Sequence, residues 1–228
     1  EIEYRDDLRI SGKVEFLGGK PEFIRLGEFD DVDMALMCHT TSIASEKKLC
    51  ISDTNNGLVA KRIKFIGKGS HAGGAPHLGV NALNAASLAL MAIHANRETF
   101  KDPDTIRVHP IITKGGEAVS AVPADVRVET FVRGANFDAI LDASRKVDRA
   151  LKAGAMAVGA TLEITTIPSY MPLNQDPTMM DMFKGNAIDL VGEEGIGYRN
   201  HSTGSTDMGD VSQLMPAIHP YVGGATGI

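Results

Sequence analysis

Tryptophan is absent, aromatic residues make up 5% of the chain, and only two cysteines, Cys38 and Cys50, occur in 228 residues. Each scarcity closes something off. Two cysteines without C-x-x-C spacing give no disulfide framework and no thiolate metal knuckle. Free thiols in a reducing compartment are expected, and with them a cytoplasmic address. So few aromatics, with a net charge of −6, argue against nucleic acid or an anionic membrane as partner. No apolar run approaches the roughly 20 residues of a membrane span, and no secretory signal opens the chain.

What remains is ordinary for a soluble globular protein: 43% hydrophobic and 23% charged residues. The length suits one large domain or two smaller ones. Three blocks emerge. In residues 1–58 the nearly continuous apolar run "VDMALMCH" predicts a strand buried on both faces of a parallel sheet. Residues 59–168 follow a regular order. "LVAKRIKFIG" alternates like a strand, and "VNALNAASLALMAIHANRETF" reads as a helix with Asn81 near its start. "DTIRVHPIITKGG" and "VRVETFVRG" form a strand pair, and the helix "FDAILDASRKVDRALKAGAMAVG" carries Ile140, Leu141, Ser144, Val147 and Leu151 on one face. The last strand, "ATLEITTIP", is expected to stop at Pro168. This β-α-β-β-α-β order is that of ferredoxin-like domains. Residues 169–228, with a helix around "PTMMDMFKGNAIDLVG", return to mixed character. They pair with residues 1–58 into one α/β domain with a parallel-type sheet, and the ferredoxin-like unit is inserted between them.

Several residues could do chemistry. "GKGSHAGGAPHLGVNAL" sets His71 and His77 in a Gly- and Pro-rich loop that lets backbone approach a ligand; an ordinary turn with two surface histidines is the alternative. His39 ends the predicted strand, where ligands bind in open α/β sheets. It reads equally as a metal ligand, an acid–base group or a strand-capping histidine. Beside it, Cys38 invites a Cys/His nucleophile, although a small buried thiol is the simpler reading. The loop "HSTGSTDMGDVS", with Asp207, could bind carboxylates or orient metal ligands, or merely cap helices. Glu193 and Glu194 follow a helix between glycines and read as a solvated loop. Ser120 lies in the glycine turn "KGGEAVSAVPADVRVE", which at least reverses the chain.

"FIGKGSHAGGAPHLGVNAL", "IITKGGEAVSAVPADVRVETFVR", "DDVDMALMCH" and "STGSTDMGDVSQLMPAIHPYVGGATG", in that combination, resemble the aminoacylase and zinc-carboxypeptidase family, metallopeptidase family twenty. They look most like its amidohydrolase branch, with aminobenzoyl-glutamate hydrolase and amino-acid-conjugate hydrolases. The resemblance implies a catalytic α/β domain with two divalent ions, zinc or manganese, and an inserted lid through which a homodimer forms. The substrate it implies is a small N-acyl or N-aroyl amino acid or a dipeptide, cut by metal-activated water. By resemblance His71 steadies the oxyanion, often across the dimer, and His39 holds metal, while His77 matches a less certain position. Ser120 and Asp207 are candidate substrate contacts. Arg133, on a lid strand, is either a carboxylate clamp or a solvent-facing arginine.

The chain also departs from this pattern. The family's Glu-Glu pair of base and ligand should follow "GKVEFLG", yet Gly18 and Gly19 lead straight to Lys20. The early ligand motif would precede residue 1, the last histidine ligand would follow "GGATG", and Ser120 replaces an asparagine. Either this is a degenerate relative that binds a small ligand without catalysis, or ordered segments are joined across missing loops. The second reading is the expected one, and it predicts a break in the backbone within 17–21.

Overall fold

Asn81 and Asn136 place side-chain oxygens on the first free amides of two helices, and these helices organise the middle of the chain. Asn81 accepts from the N–H groups of Leu83 and Asn84, and Asn136 from that of Ala139. Such caps satisfy amides that have no partner within the helix. The computed structural model describes residues 2–226. In chain order its elements are α1 (Ile2–Ile10), α2 (Gly19–Arg25), β1 (Ala35–Leu36), β2 (His39–Thr40), β3 (Leu49–Ser52), β4 (Gly57–Ile66), α3 (Ala82–Ala95), β5 (Arg107–Val108), β6 (Ile111–Lys114), β7 (Asp125–Gly134), α4 (Phe137–Val158), β8 (Thr161–Tyr170), α5 (Pro177–Val191), β9 (Ile196–Arg199), α6 (Met208–Val211), β10 (Ala217–Ile218) and β11 (Tyr221–Val222). Residues 2–11 and 58–168 form one compact unit, and residues 12–57 and 169–226 a second.

The first unit has the strand order β5-β7-β4-β8, with β6 also paired to β7. With α3 after β4 and α4 after β7, this is the β-α-β-β-α-β arrangement. Alternation along β4 turns Ile63 and Phe65 toward the helices, where they meet Val126 and Val128 of β7, Ile93 of α3 and Leu151 of α4. Arg62 instead pairs with Glu3 and Asp6 of α1 at 2.9 and 3.2 Å. Residues 2–11, read from sequence as part of the other domain, therefore cluster here. Two further expectations fail. Leu141 is 36% exposed while Ile140, Ser144, Val147 and Leu151 are buried, so the packed stripe of α4 is narrower than its periodicity suggested. Pro168 does not stop its strand: β8 runs to Tyr170, and as the edge strand it has a side with no ladder to break.

The second unit is a mixed structure, not a parallel sheet. The β2-β11 and β3-β9 pairs are parallel, whereas β11 runs antiparallel to β3. The "VDMALMCH" run is not buried on both faces. It forms one parallel ladder, in which Ala35, Met37, His39 and Thr41 donate to the carbonyls of Pro216, Ile218, Pro220 and Val222 at 2.9–3.1 Å. Among the described residues it has a neighbour on one side only, and Met34, Leu36 and Cys38 face outward and are exposed. Gly18 caps α2 and accepts from Glu22 N–H at 3.4 Å. The end of "GGATG", at Gly227, lies outside the described residues.

Candidate active site

The 35–41 ladder does more than hold an edge. Its register sets His39 opposite Tyr221, two residues beyond His219. The three rings gather: His39 and His219 centroids are 6.0 Å apart, His39 and Tyr221 5.7 Å, and His219 meets Tyr221 edge-on at 5.2 Å. Arg199 lies 3.8 Å over the Tyr221 ring and forks onto Glu46, with Nε to Oε1 and Nη2 to Oε2 both at 2.6 Å. The backbone of His219 is clamped. Its N–H donates to Gln175 Oε1 at 2.6 Å, and its carbonyl accepts from Ser52 Oγ at 2.7 Å. His39, Asn55, Ser205, Asp207 and His219 line a cleft of about 490 Å³ in this unit.

Protons follow from these contacts. His39 Nδ1 lies 2.8 Å from the Thr40 carbonyl, which can only accept. Nδ1 therefore carries the hydrogen, and the Nε2 lone pair is left for a ligand. His219 is 1% exposed, and burial, with the nearby His39, pushes its pKa down to about 4, so it is neutral near pH 7. Asp210 goes the other way: burial, with Asp207 beside it, raises its pKa to about 7 against the backbone bond from Met171. Asp207 itself is engaged by Lys20 Nζ at 2.6 Å.

The two buried groups tilt stability in opposite directions. The Asp210 carboxyl sits above its unfolded value of 3.8, so stability present below pH 4 is lost as pH rises toward 7. The His219 imidazole sits below its unfolded value of 6.5, so stability present above that pH is lost as it falls toward 4. We expect a Tm–pH profile nearly flat between 4 and 7 in the unaltered protein. Asp210→Asn should leave only the loss on acidification, worth on the order of 3 kcal/mol at most. Melting curves across pH for the two proteins check this. Parallel profiles would contradict it.

The candidates read from sequence divide between the units. His39 and Asp207 share the cleft. His71 and Ser120 lie on paired segments of the first unit, where His71 bridges Ala121 and Ala72 N–H donates to Ser120 C=O at 2.8 Å, and both residues are exposed. His71 Nδ1 accepts from the N–H groups of Gly73 and Gly74 at 3.2 and 2.8 Å. These bonds leave the ring proton on Nε2. Arg133 stands on β7 opposite Arg107, its guanidinium 5.2 Å from the Phe131 ring centroid. His77 is exposed in the short turn Pro76–Leu78, and Glu193 and Glu194 sit exposed in another, Glu193–Gly195. Cys38 is exposed, contrary to the buried reading, because the strand edge carries it outward. Partial burial raises its pKa and works against a thiolate. His201 is saturated by Thr54 Oγ1 and Asn56 Oδ1, each at 2.8 Å, and serves as a brace. His219, Tyr221, Arg199 and Glu46 were missed. "MPAIHPY" did carry a signal, a histidine just past a short apolar run, as at His39.

A catalytic zinc site takes three protein ligands and holds a fourth position for water or substrate. Among the described residues no group of three or more His, Cys, Asp or Glu side chains converges in that way. His39 and His219 are paired rings, and Asp207 is committed to Lys20. This donor set does not complete the expected metal site.

Comparison with known proteins bears on what such a cleft belongs to. The model of a peptidase dimerisation domain matches residues 54–158. Over 209 residues the chain is 31% identical to a mouse Xaa-Arg dipeptidase, covering 90% of this chain and 46% of that protein. It is 22% identical to one of the two p-aminobenzoyl-glutamate hydrolase chains of Escherichia coli strain K12, over 91% of this chain and 47% of the other. The chain belongs with the M20 peptidases. It spans about half the length of the curated relatives it matches. Its fold matches the crystal structure of an aminobenzoyl-glutamate utilization protein from Klebsiella pneumoniae, with a TM-score of 0.72 and 20% identity over 89% of this chain and 53% of that one. No helix of this M20 relative is long and apolar enough to cross a membrane, among the described residues.

Proposed function

We propose that the protein is an amidohydrolase or peptidase that cleaves the amide bond of small N-acyl or N-aroyl amino acids or dipeptides. The observation that carries this reading is similarity to the mouse Xaa-Arg dipeptidase over 90% of the chain. On this reading the unit holding residues 58–168 is a lid that also joins two copies into a homodimer. His71, whose protonated Nε2 is a donor, steadies the oxyanion that develops on the scissile carbonyl, a role typically worth a factor of roughly 10²–10³ in rate. His39 offers its free Nε2 as one ligand of a divalent ion, zinc or manganese, whose chemistry is to activate water and polarise the carbonyl. Arg133 and Ser120 are candidate contacts for the substrate carboxylate. Asp207, which lines the cleft and pairs with Lys20, is a further candidate contact for the substrate.

A second reading is supported by the incomplete donor set: a non-catalytic relative that binds the same small ligands. Hydrolysis of a panel of N-acetyl amino acids, aminobenzoyl-glutamate and Xaa-Arg dipeptides, with added Zn²⁺ or Mn²⁺, separates the two. We expect turnover by the full-length protein and a loss of at least a hundredfold in kcat for His71→Ala, with KM little changed. Binding without turnover under every metal would establish the second reading instead.

A further inference from the structure

The sheet of the first unit packs its core residues toward the helices, so strand alternation sends a second set of side chains to the opposite face. That set is charged: Arg62 and Lys64 on β4, Arg127 and Glu129 on β7, and Glu163 on β8. Helix α1 roofs it. Three carboxylates of α1 converge on Arg62, from Glu3 at 2.9 Å, Asp6 at 3.2 Å and Asp7 at 3.1 Å. Arg127 also takes Glu3, at 2.7 Å, and Glu129 accepts the Glu3 N–H at 2.7 Å. Asp6 is 1% exposed and holds Arg9 as well, at 2.8 Å. Roof and sheet together line a cavity of about 380 Å³, within the roughly 300–1,000 Å³ usual for small-ligand pockets. It lies wholly in this unit and shares no residue with the cleft around His39.

Most charges on its walls are therefore spent on holding the roof. Two are not. Lys64, half-buried, and Glu163, exposed, both line the cavity from neighbouring strands. Neither forms an ion pair, with the other or with any residue among those described. A ligand with a single charge would meet one of them and leave its opposite unmatched. A ligand carrying an ammonium and a carboxylate would meet both, and partial enclosure by the roof strengthens each attraction relative to open water. The hydroxyls of Thr113 and Thr165, also on the cavity wall, can donate to a carboxylate or accept from an ammonium. Ile10 of α1 adds an apolar wall suited to an aliphatic side chain.

We propose that this cavity binds a free α-amino acid with an aliphatic side chain, its carboxylate on Lys64 and its ammonium on Glu163. The site does not rest on the proposed hydrolysis and stands whether or not the protein cleaves an amide.

The test titrates the full-length protein by calorimetry with three probes: L-leucine, L-leucinol, which lacks the carboxylate, and 4-methylpentanoate, which lacks the ammonium. Leucine should bind about fivefold more tightly than either, the upper end for a partly exposed ion pair. Lys64→Met should weaken leucine to the level of leucinol and leave leucinol unchanged. Glu163→Gln should weaken leucine to the level of 4-methylpentanoate and leave that probe unchanged. Because neither side chain has an ionic partner in the fold, Tm should hold in both variants. Equal binding of the three probes, no binding of leucine, or unchanged leucine affinity in both variants would overturn the site. A fall in Tm that accompanies equal weakening of all three probes would do so too, because it would assign the two residues to the fold instead of the ligand.

Discussion

Replacing Gly154 by alanine should destabilise the first unit by about 3 kcal/mol or more, and replacement by leucine should prevent its folding. A Cβ at Gly154 would lie 2.5 Å from the carbonyl oxygen of Ala85, 2.5 Å from the amide nitrogen of Ala89 and 2.7 Å from its Cβ. Two of those atoms are backbone, so no side chain can swing aside. The two helices meet there through small residues, with Ala82, Ala85, Ala86 and Ala89 of α3 all fully buried. Adding one carbon must therefore push whole helices apart. Gly185, in the interior of α5, supplies the control, since a Cβ there meets nothing within 4 Å. Gly185→Ala should raise stability by about 0.5–1 kcal/mol, the ordinary helical gain. Denaturant melts of both variants read the difference. Equal effects of the two substitutions would show that the helix contact is looser than described.

Arg199→Met should cost about 3–5 kcal/mol, because it strands a buried carboxylate. Glu46 is 5% exposed and receives two charge-assisted bonds from the one guanidinium. Burial penalises the Glu46 charge, yet the bonds from Arg199 and Thr41 outweigh it and hold the pKa below the usual carboxylate range. Remove Arg199 and only the Thr41 bond opposes the penalty, so the variant should lose stability most steeply at neutral pH and recover part of it in acid as Glu46 protonates. Arg199→Lys should recover only part of the loss, since an ammonium can neither fork onto the carboxylate nor stack on Tyr221. The double variant Arg199→Met with Glu46→Leu should come back close to the parent protein, the outcome expected when a buried pair is removed together. The measurement is a double-mutant cycle from chemical melts, and additive losses would refute the coupling.

The sequence by itself determined what depends on near neighbours. Asn81 and Asn136 cap their helices because a carboxamide reaches amides two or three residues on. The alternation of "LVAKRIKFIG" and the stripe of Ile140, Val147 and Leu151 follow from the periods of strand and helix, and the order of elements then implied the β-α-β-β-α-β unit. The family motifs were readable for the same reason, each being a local run. What only the tertiary structure decided are matters of long-range register and exposure. Leu141 and Pro168 were misjudged because the width of a packed stripe and the edge position of a strand are set by neighbours distant in sequence. The run at 35–41 became an exposed edge because it found one partner, 216–222, instead of two. That same pairing brought His39 to His219 and Tyr221, across some 180 residues that no spacing rule connects. Side chains left without partners cannot be seen in a sequence, because being unpaired is a property of the whole packed unit.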